Sequence, residues 1–288
     1  MKTYTECHKC LSDMILKMAK EISLDSKTVK DIQNYTKEIL GRIKNGTPPP
    51  YIAKLIFDHF NDAAKGKNPF QKIKQDNNRK ALELYRYFRS TVWNSYNPLF
   101  TACRMSSWGN LFDSINQDKF KFTDEGLPPF AERLPAINDF IELRRDIENA
   151  SSVLYLGDNA GEIVFDKIFI EFMKHYYPEL KIYFIVKENP LNDDVDKRDA
   201  EAVKMDEVAR VISNGDSAPG TILEFCSEEF KKYFNKADLI ISKGQGNYES
   251  LSDLKDKRIY YLLTVKCPVI ARDIGEQVGS IIIKQGGN

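Results

Sequence analysis

Two patterns of apolar and polar positions divide the chain near residue 150. Before it, apolar residues recur at helical spacing, first at Leu11, Met14, Ile15 and Met18 and again at Val29, Ile32, Tyr35, Ile39 and Ile43. Pro48, Pro49 and Pro50 interrupt this pattern and admit a new helix through Ile52, Leu55, Ile56, His59, Phe60 and Ala63, because a first helical turn tolerates proline. Asn68-Pro69 opens another helix, which runs through Phe70, Ile73, Asn77, Leu82, Tyr85 and Phe88. A further apolar segment at Leu99, Phe100, Cys103 and Met105 stops at Gly109-Asn110, and Pro128-Pro129 reads as a linker. Strand-like runs are absent from this half.

From about Ser151 short β-rich runs alternate with helical ones, the signature of βα units on a mostly parallel sheet. The pattern predicts strands at 153–156, 182–186, 210–213, 239–242, 259–265 and 280–283. Helices are expected at 161–177, 198–208, 220–234, 248–254 and 269–274. Two domains follow, a helical one over 1–149 and an α/β one over 150–288.

Composition narrows the function classes. Forty-two basic residues balance 42 acidic ones, so no global field gathers nucleic acid or an anionic membrane, and a small-molecule partner is expected. The longest apolar runs are too short to span a bilayer and the N-terminus lacks the apolar core of a signal peptide, which makes the cytoplasm the expected location. Five cysteines, an odd number in a chain of this length, argue against a disulfide framework. Only three histidines are present, and His59 and His175 fall within helical patterns. A Ser-His-Asp or Cys-His mechanism has little to draw on, so the chemistry moves to carboxylates, amides and lysines, serving a hard cation or a cofactor.

Three strand ends in the second half carry polar clusters: Gly157-Asp158-Asn159, Asn192-Asp193-Asp194, and Lys243-Gly244-Gln245-Gly246-Asn247. Taken singly, Asp158 reads as a helix N-cap and 192–194 as a polar loop. On a parallel sheet all three face one edge, where open α/β folds bind ligands. Oxygens from two neighbouring turns suit Mg²⁺, Mn²⁺ or a similar cation, a lysine from the third would neutralise a phosphate, and the helix N-terminus near Ala160 favours an anion.

The segments Gly157-Asp-Asn-Ala-Gly-Glu162 and Lys243-Gly-Gln-Gly-Asn-Tyr-Glu-Ser-Leu251 resemble those of the metal-dependent damage-control phosphatases. Cys7-His-Lys-Cys10, Gly109-Asn-Leu-Phe-Asp113 and Lys266-Cys-Pro-Val-Ile-Ala-Arg272 extend the resemblance over nearly the whole chain. It implies a helical N-terminal region packed on a three-layer α/β/α domain with a Rossmann-like sheet, and a divalent ion (Mn, Mg, Co or Ni) held by Asp158, Asn159 and Asp194. The family usually shows Asn-Asp-Val-Thr before Asp-Ala, whereas this chain reads Asn192-Asp-Asp-Val-Asp-Lys-Arg-Asp-Ala200, so Asp193 rivals Asp194 as third ligand. The resemblance further implies catalytic roles for Asp158 and Asp194, a substrate phosphate on Lys243, and Asn110, Asp113 and Asn247 as further substrate contacts. The substrate so implied is a small phosphorylated metabolite, such as a sugar phosphate or a damaged cofactor precursor.

Two alternatives fit parts of the pattern. The Gly-rich turn after Leu156 is also compatible with an S-adenosylmethionine-dependent methyltransferase, with Glu188 on a ribose, although bulky Asp158 and Asn159 stand where that cofactor would approach the backbone. A non-catalytic metal-binding module is the other. Cys7 and Cys10 have half-site spacing but no second pair, so they read as cysteines packed beside Leu11 and Met14, with Cys103, Cys226 and Cys267 as core residues. Oligomeric state has no signature in the sequence.

Overall fold

The computed structural model describes residues 1–44, 46–109 and 133–287. Helices stand where the spacing expects them: α1 (Thr5–Glu21), α2 (Ser26–Arg42), α3 (Pro49–Ala63), α4 (Gln71–Trp93) and α5 (Pro98–Gly109). Asp25 caps α2 by accepting the backbone N–H groups of Lys27 and Thr28. Pro49 and Pro50 occupy the first turn of α3, where the missing N–H breaks no helical bond. The faces of α1, α2 and α3 close on one another through Leu11, Ile15, Met18, Ile32, Ile56 and Phe60. By contrast α4 and α5 turn Phe88, Val92, Leu99 and Met105 into a core shared with the sheet. The Pro128-Pro129 linker lies outside the described residues.

The sheet begins before the expected boundary at 150, with β1 (Ile137–Asn138) and α6 (Phe140–Asn149) in the half expected to be helical, and goes on with β2 (Ser152–Leu156), α7 (Glu162–Tyr176), β3 (Lys181–Val186), α8 (Lys197–Ala202) and β4 (Arg210–Ser213). It continues with α9 (Glu228–Lys236), β5 (Leu239–Lys243), α10 (Gly244–Leu251), β6 (Ile259–Thr264), α11 (Pro268–Ile274) and β7 (Ile281–Gln285). Among the described residues the strands form one sheet in the order β1-β7-β6-β5-β2-β3-β4. Every pairing is parallel except β6 with β7. Side-chain alternation divides β2 between two cores. Val153 and Tyr155 join Phe165 and Phe169 of α7 on one face, while Leu154 and Leu156 join Phe230, Leu251 and Ile270 on the other.

Four expectations need correction. Strand β1 left no periodic trace because it is a two-residue edge strand, whereas α6, also not expected, buries Phe140, Leu143 and Ile147 at helical spacing. The helix expected over 220–234 forms only as α9, since Gly215 and Gly220 adopt positive φ and Gly220 brings its backbone against that of Gly246. Helix α8 ends early, where Lys204 turns left-handed before a short 3₁₀ turn at Met205–Glu207. Helix α10 begins directly at Gly244 rather than at 248. Among the cysteines, Cys103 and Cys226 are buried as expected, but Cys10 is exposed and Cys7 and Cys267 are only half-buried.

Candidate active site

Strand β2 lies between β3 and β5, so the turns that follow these three parallel strands stand side by side. The chain leaves β2 toward β3 and β4 and returns on the other side as β5, which makes this edge the point where the strand order reverses. The turns after β2 and β3 are stitched together. Asn159 and Asp194 form an antiparallel bridge, the Ala160 N–H donates to the Asp193 carbonyl at 2.8 Å, and the Val195 N–H donates to the Asp158 carbonyl at 2.7 Å. Gly157 permits the closeness, since a Cβ there would stand 2.8 Å from both Phe184 and Val195.

Asp158, Asn159, Asp193 and Asp194 are all buried, at 6, 5, 7 and 2 % exposure. Asp158 does not cap α7, whose N-cap is Gly161 at φ 86°. Its carboxylate instead rests against Gly244, where a Cβ would overlap it and where φ is +74°. Burial, with Glu162 and then Asp194 nearby, pushes the Asp158 carboxyl well above the usual carboxylate range. Burial likewise raises Asp194 to about 7, against the pull of Lys187. Asp194 accepts from Asn192 Nδ2 at 2.7 Å through one oxygen, and its buried Oδ2 has no hydrogen-bond partner. Burial and mutual repulsion still outweigh the nearby lysines at Asp158 and Asp194, and oxygen donors of this kind suit a hard cation. Asp158, Asn159 and Asp194 therefore fit the divalent ion that the sequence resemblance implies, although among the described residues no three His, Cys, Asp or Glu side chains already enclose a common point.

The expected lysine is placed differently. Lys243 is fully buried, and its ammonium donates to Glu162, to Asp166 Oδ1 at 2.7 Å and to the Ser106 carbonyl at 2.9 Å. Burial alone would depress its pKa, but Asp166 and Glu162 outweigh burial and hold it above the ordinary lysine value. Tyr155 and Ser106 complete the network on Asp166 at 2.8 and 2.7 Å. Asn247 acts as a strut: its Nδ2 donates to the Lys243 carbonyl at 2.8 Å and its Oδ1 accepts from Thr221 Oγ1 at 2.7 Å. Asn110 and Asp113 lie outside the described residues.

Other residues reach the site that sequence reasoning had given no role there. The charge of Lys266 draws down both Asp158 and Glu162, and Lys187, buried at the end of β3, does the same for Asp194. Glu162 and Lys266 stood inside quoted motifs, and a lysine directly after a strand was the available signal for Lys187. From the helical half, α4 clamps the turn after β3. Lys74 pairs with Asp196 at 2.9 Å and Asp199 at 2.7 Å, while Asn78 donates to Asp199 Oδ1 at 2.8 Å and accepts the Gly161 N–H at 2.7 Å. A cavity of about 540 Å³ opens beside this clamp, lined by Lys74, Asn78, Arg79, Asp196 and Arg198.

Residues 3–282 match the family model described as the damage-control phosphatase ARMT1-like domain. A damage-control phosphatase of Pyrococcus horikoshii is 30 % identical, with 98 % of this chain and 97 % of that protein covered, and one of Archaeoglobus fulgidus is 31 % identical over 99 % of each. An uncharacterised protein of Methanocaldococcus jannaschii is 32 % identical over 98 % of this chain and 95 % of its own length. The crystal structure of a DUF89 family protein from Pyrococcus horikoshii superimposes with a TM-score of 0.89 over 99 % of both chains at 26 % identity. Nothing in these comparisons supports methyl transfer. The chain belongs to the ARMT1-like damage-control phosphatase family, which supports a phosphatase role on damaged metabolites.

Proposed function

We propose that the protein is a divalent-cation-dependent phosphatase that hydrolyses small phosphorylated metabolites, sugar phosphates or damaged side products, at the edge of the sheet where β3, β2 and β5 end. The observation that carries this reading is the bridged pair of turns, which buries Asp158, Asn159 and Asp194 together and leaves an Asp194 oxygen without a partner. A bound Mg²⁺, Mn²⁺, Co²⁺ or Ni²⁺ would polarise phosphoryl oxygens and lower the pKa of a coordinated water. Asp158, Asn159 and Asp194 would hold the ion. Lys266 and Lys187 would offset the charge of the transferring group, and Lys243 neutralises Glu162 and Asp166 beneath it.

Metal-stripped protein is expected to leave p-nitrophenyl phosphate intact and to regain turnover when one of these four ions is added back. Full turnover after stripping, with the protein verified metal-free, would remove the ion from the reaction.

Acidity supplies a second check. Asp194 ionises near 7 in the cation-free fold but near 3.8 when unfolded, so its contribution to stability is complete below 3.8 and is lost as the pH rises toward 7. The same shift makes protons compete with the ion. Calorimetric titration with Mn²⁺ should therefore show affinity falling steeply as the pH drops below about 7, by about tenfold per pH unit from Asp194 and further from the raised Asp158, with protons released on binding. A pH-independent affinity would contradict the ligand assignment.

A further inference from the structure

Four lysines are buried among the described residues, and three of them face carboxylates. Lys74 pairs with Asp196 and Asp199, Lys167 with Glu207, and Lys243 with Glu162 and Asp166. Lys187, 3 % exposed, is the exception. Its ammonium donates to the Gly220 carbonyl and stands 3.5 Å from both Thr221 Oγ1 and Asn247 Oδ1, all of them neutral acceptors. No carboxylate of the described residues comes within ion-pair reach of it. A charge taken out of water without a counter-ion is costly, and an arriving anion relieves that cost.

The surrounding backbone holds this lysine in place. Its own N–H donates to the Val195 carbonyl at 2.9 Å. The loop after β4 is pinned on either side of it, the Asn214 N–H donating to the Val186 carbonyl at 2.9 Å and the Glu188 N–H to the Asp216 carbonyl at 2.8 Å. Gly220, at φ +131°, lets the loop rest on the Gly246 backbone, and the Thr221 N–H donates to Ser250 Oγ at 2.9 Å, so the loop is seated on α10. Thr221 Oγ1 gives its proton to Asn247 Oδ1 at 2.7 Å, which leaves its lone pairs for the ammonium. Asn247 Nδ2 also donates to the carbonyl of Gly157, the residue before Asp158, at 3.3 Å. The cation is thereby fixed beside the carboxylate turns. Of its three donors only the one on Gly220 is closely engaged, since 3.5 Å is the outer limit of a hydrogen bond.

We propose that Lys187, backed by Thr221 and Asn247, is the lysine that takes the phosphate of the substrate and keeps hold of inorganic phosphate after hydrolysis, the role that the sequence resemblance gives to Lys243. It rests on the phosphatase reading of this sheet edge. A phosphate oxygen on Lys187 supplies the counter-ion that the fold does not, whereas the charge of Lys243 is already taken up by Glu162 and Asp166. Because the attraction belongs to the lysine, inorganic phosphate binds the cation-free protein as well.

The test is thermal melting of the metal-stripped full-length protein with and without inorganic phosphate, on the wild type, Lys187→Met and Lys187→Gln. Phosphate should raise the midpoint of the wild type and leave both variants unmoved. Without phosphate, both variants should melt no lower than the wild type, because each removes a buried charge that has no counter-ion. Calorimetric titration with inorganic phosphate should show binding at least about tenfold weaker in the variants, and KM for p-nitrophenyl phosphate in cation-loaded protein should rise at least about tenfold. A wild type that binds no phosphate, or variants that keep the full phosphate shift, would overturn the proposal. Variants that melt well below the wild type or fail to fold would overturn it too, making Lys187 a structural cation. Phosphate binding that depends on Lys187 in a protein with no turnover on any cation would support the site and count only against hydrolysis.

Discussion

Asp158→Asn is expected to lower phosphatase turnover by at least about a thousandfold while leaving the fold intact. The side chain keeps its shape, so the bridge between Asn159 and Asp194 and the contact with Gly244 survive. What disappears is one of the crowded carboxylate charges, and with it a charged ligand of the proposed ion. The same crowding predicts that the cation-free variant becomes more stable, because the Asp158 carboxyl is held unfavourably by burial and by Glu162 and Asp194. Steady-state kinetics, Mn²⁺ titration and thermal melting of metal-free protein check all three at once. A variant with wild-type turnover would sink the assignment of Asp158, whereas a variant that fails to fold would show that its charge serves structure.

Lys243→Met carries the second large effect, and it falls on stability. Removing the ammonium leaves Glu162 and Asp166 buried without their cation, and breaking such a pair from one side costs about 3–5 kcal/mol. Denaturant unfolding measures this directly. Adding Glu162→Gln and Asp166→Asn to Lys243→Met should return much of the loss, since the repulsive charges go with the attractive one. Unaltered stability with a raised KM would instead put Lys243 on the substrate phosphate.

These two residues show where the sequence was legible. The strand runs of the second half came through because each is a short apolar block between turn residues, and the site edge followed from three polar clusters at strand ends. β2, β3 and β5 proved to be neighbours, which is what made that coincidence meaningful. Lys243 was visible as a lysine after a strand, but its direction was not, because the carboxylates that capture it arise from the next turns of α7, on a helix face that no local pattern specifies. Nor could spacing show α4 reaching over the site: only the fold brings Lys74 and Asn78 against Asp196 and Asp199.

The position of the carboxylate turns within the sheet has a thermal consequence. β5, β2 and β3 each hold hydrogen-bonded neighbours on both sides, and β2 is sealed by apolar layers above and below. Amides on such strands are the last to exchange with solvent, because they open only when the surrounding unit opens. The floor of the pocket thus has no soft mode of its own. Heat should leave its geometry intact up to the point where the sheet itself lets go, so inactivation and melting would be one event.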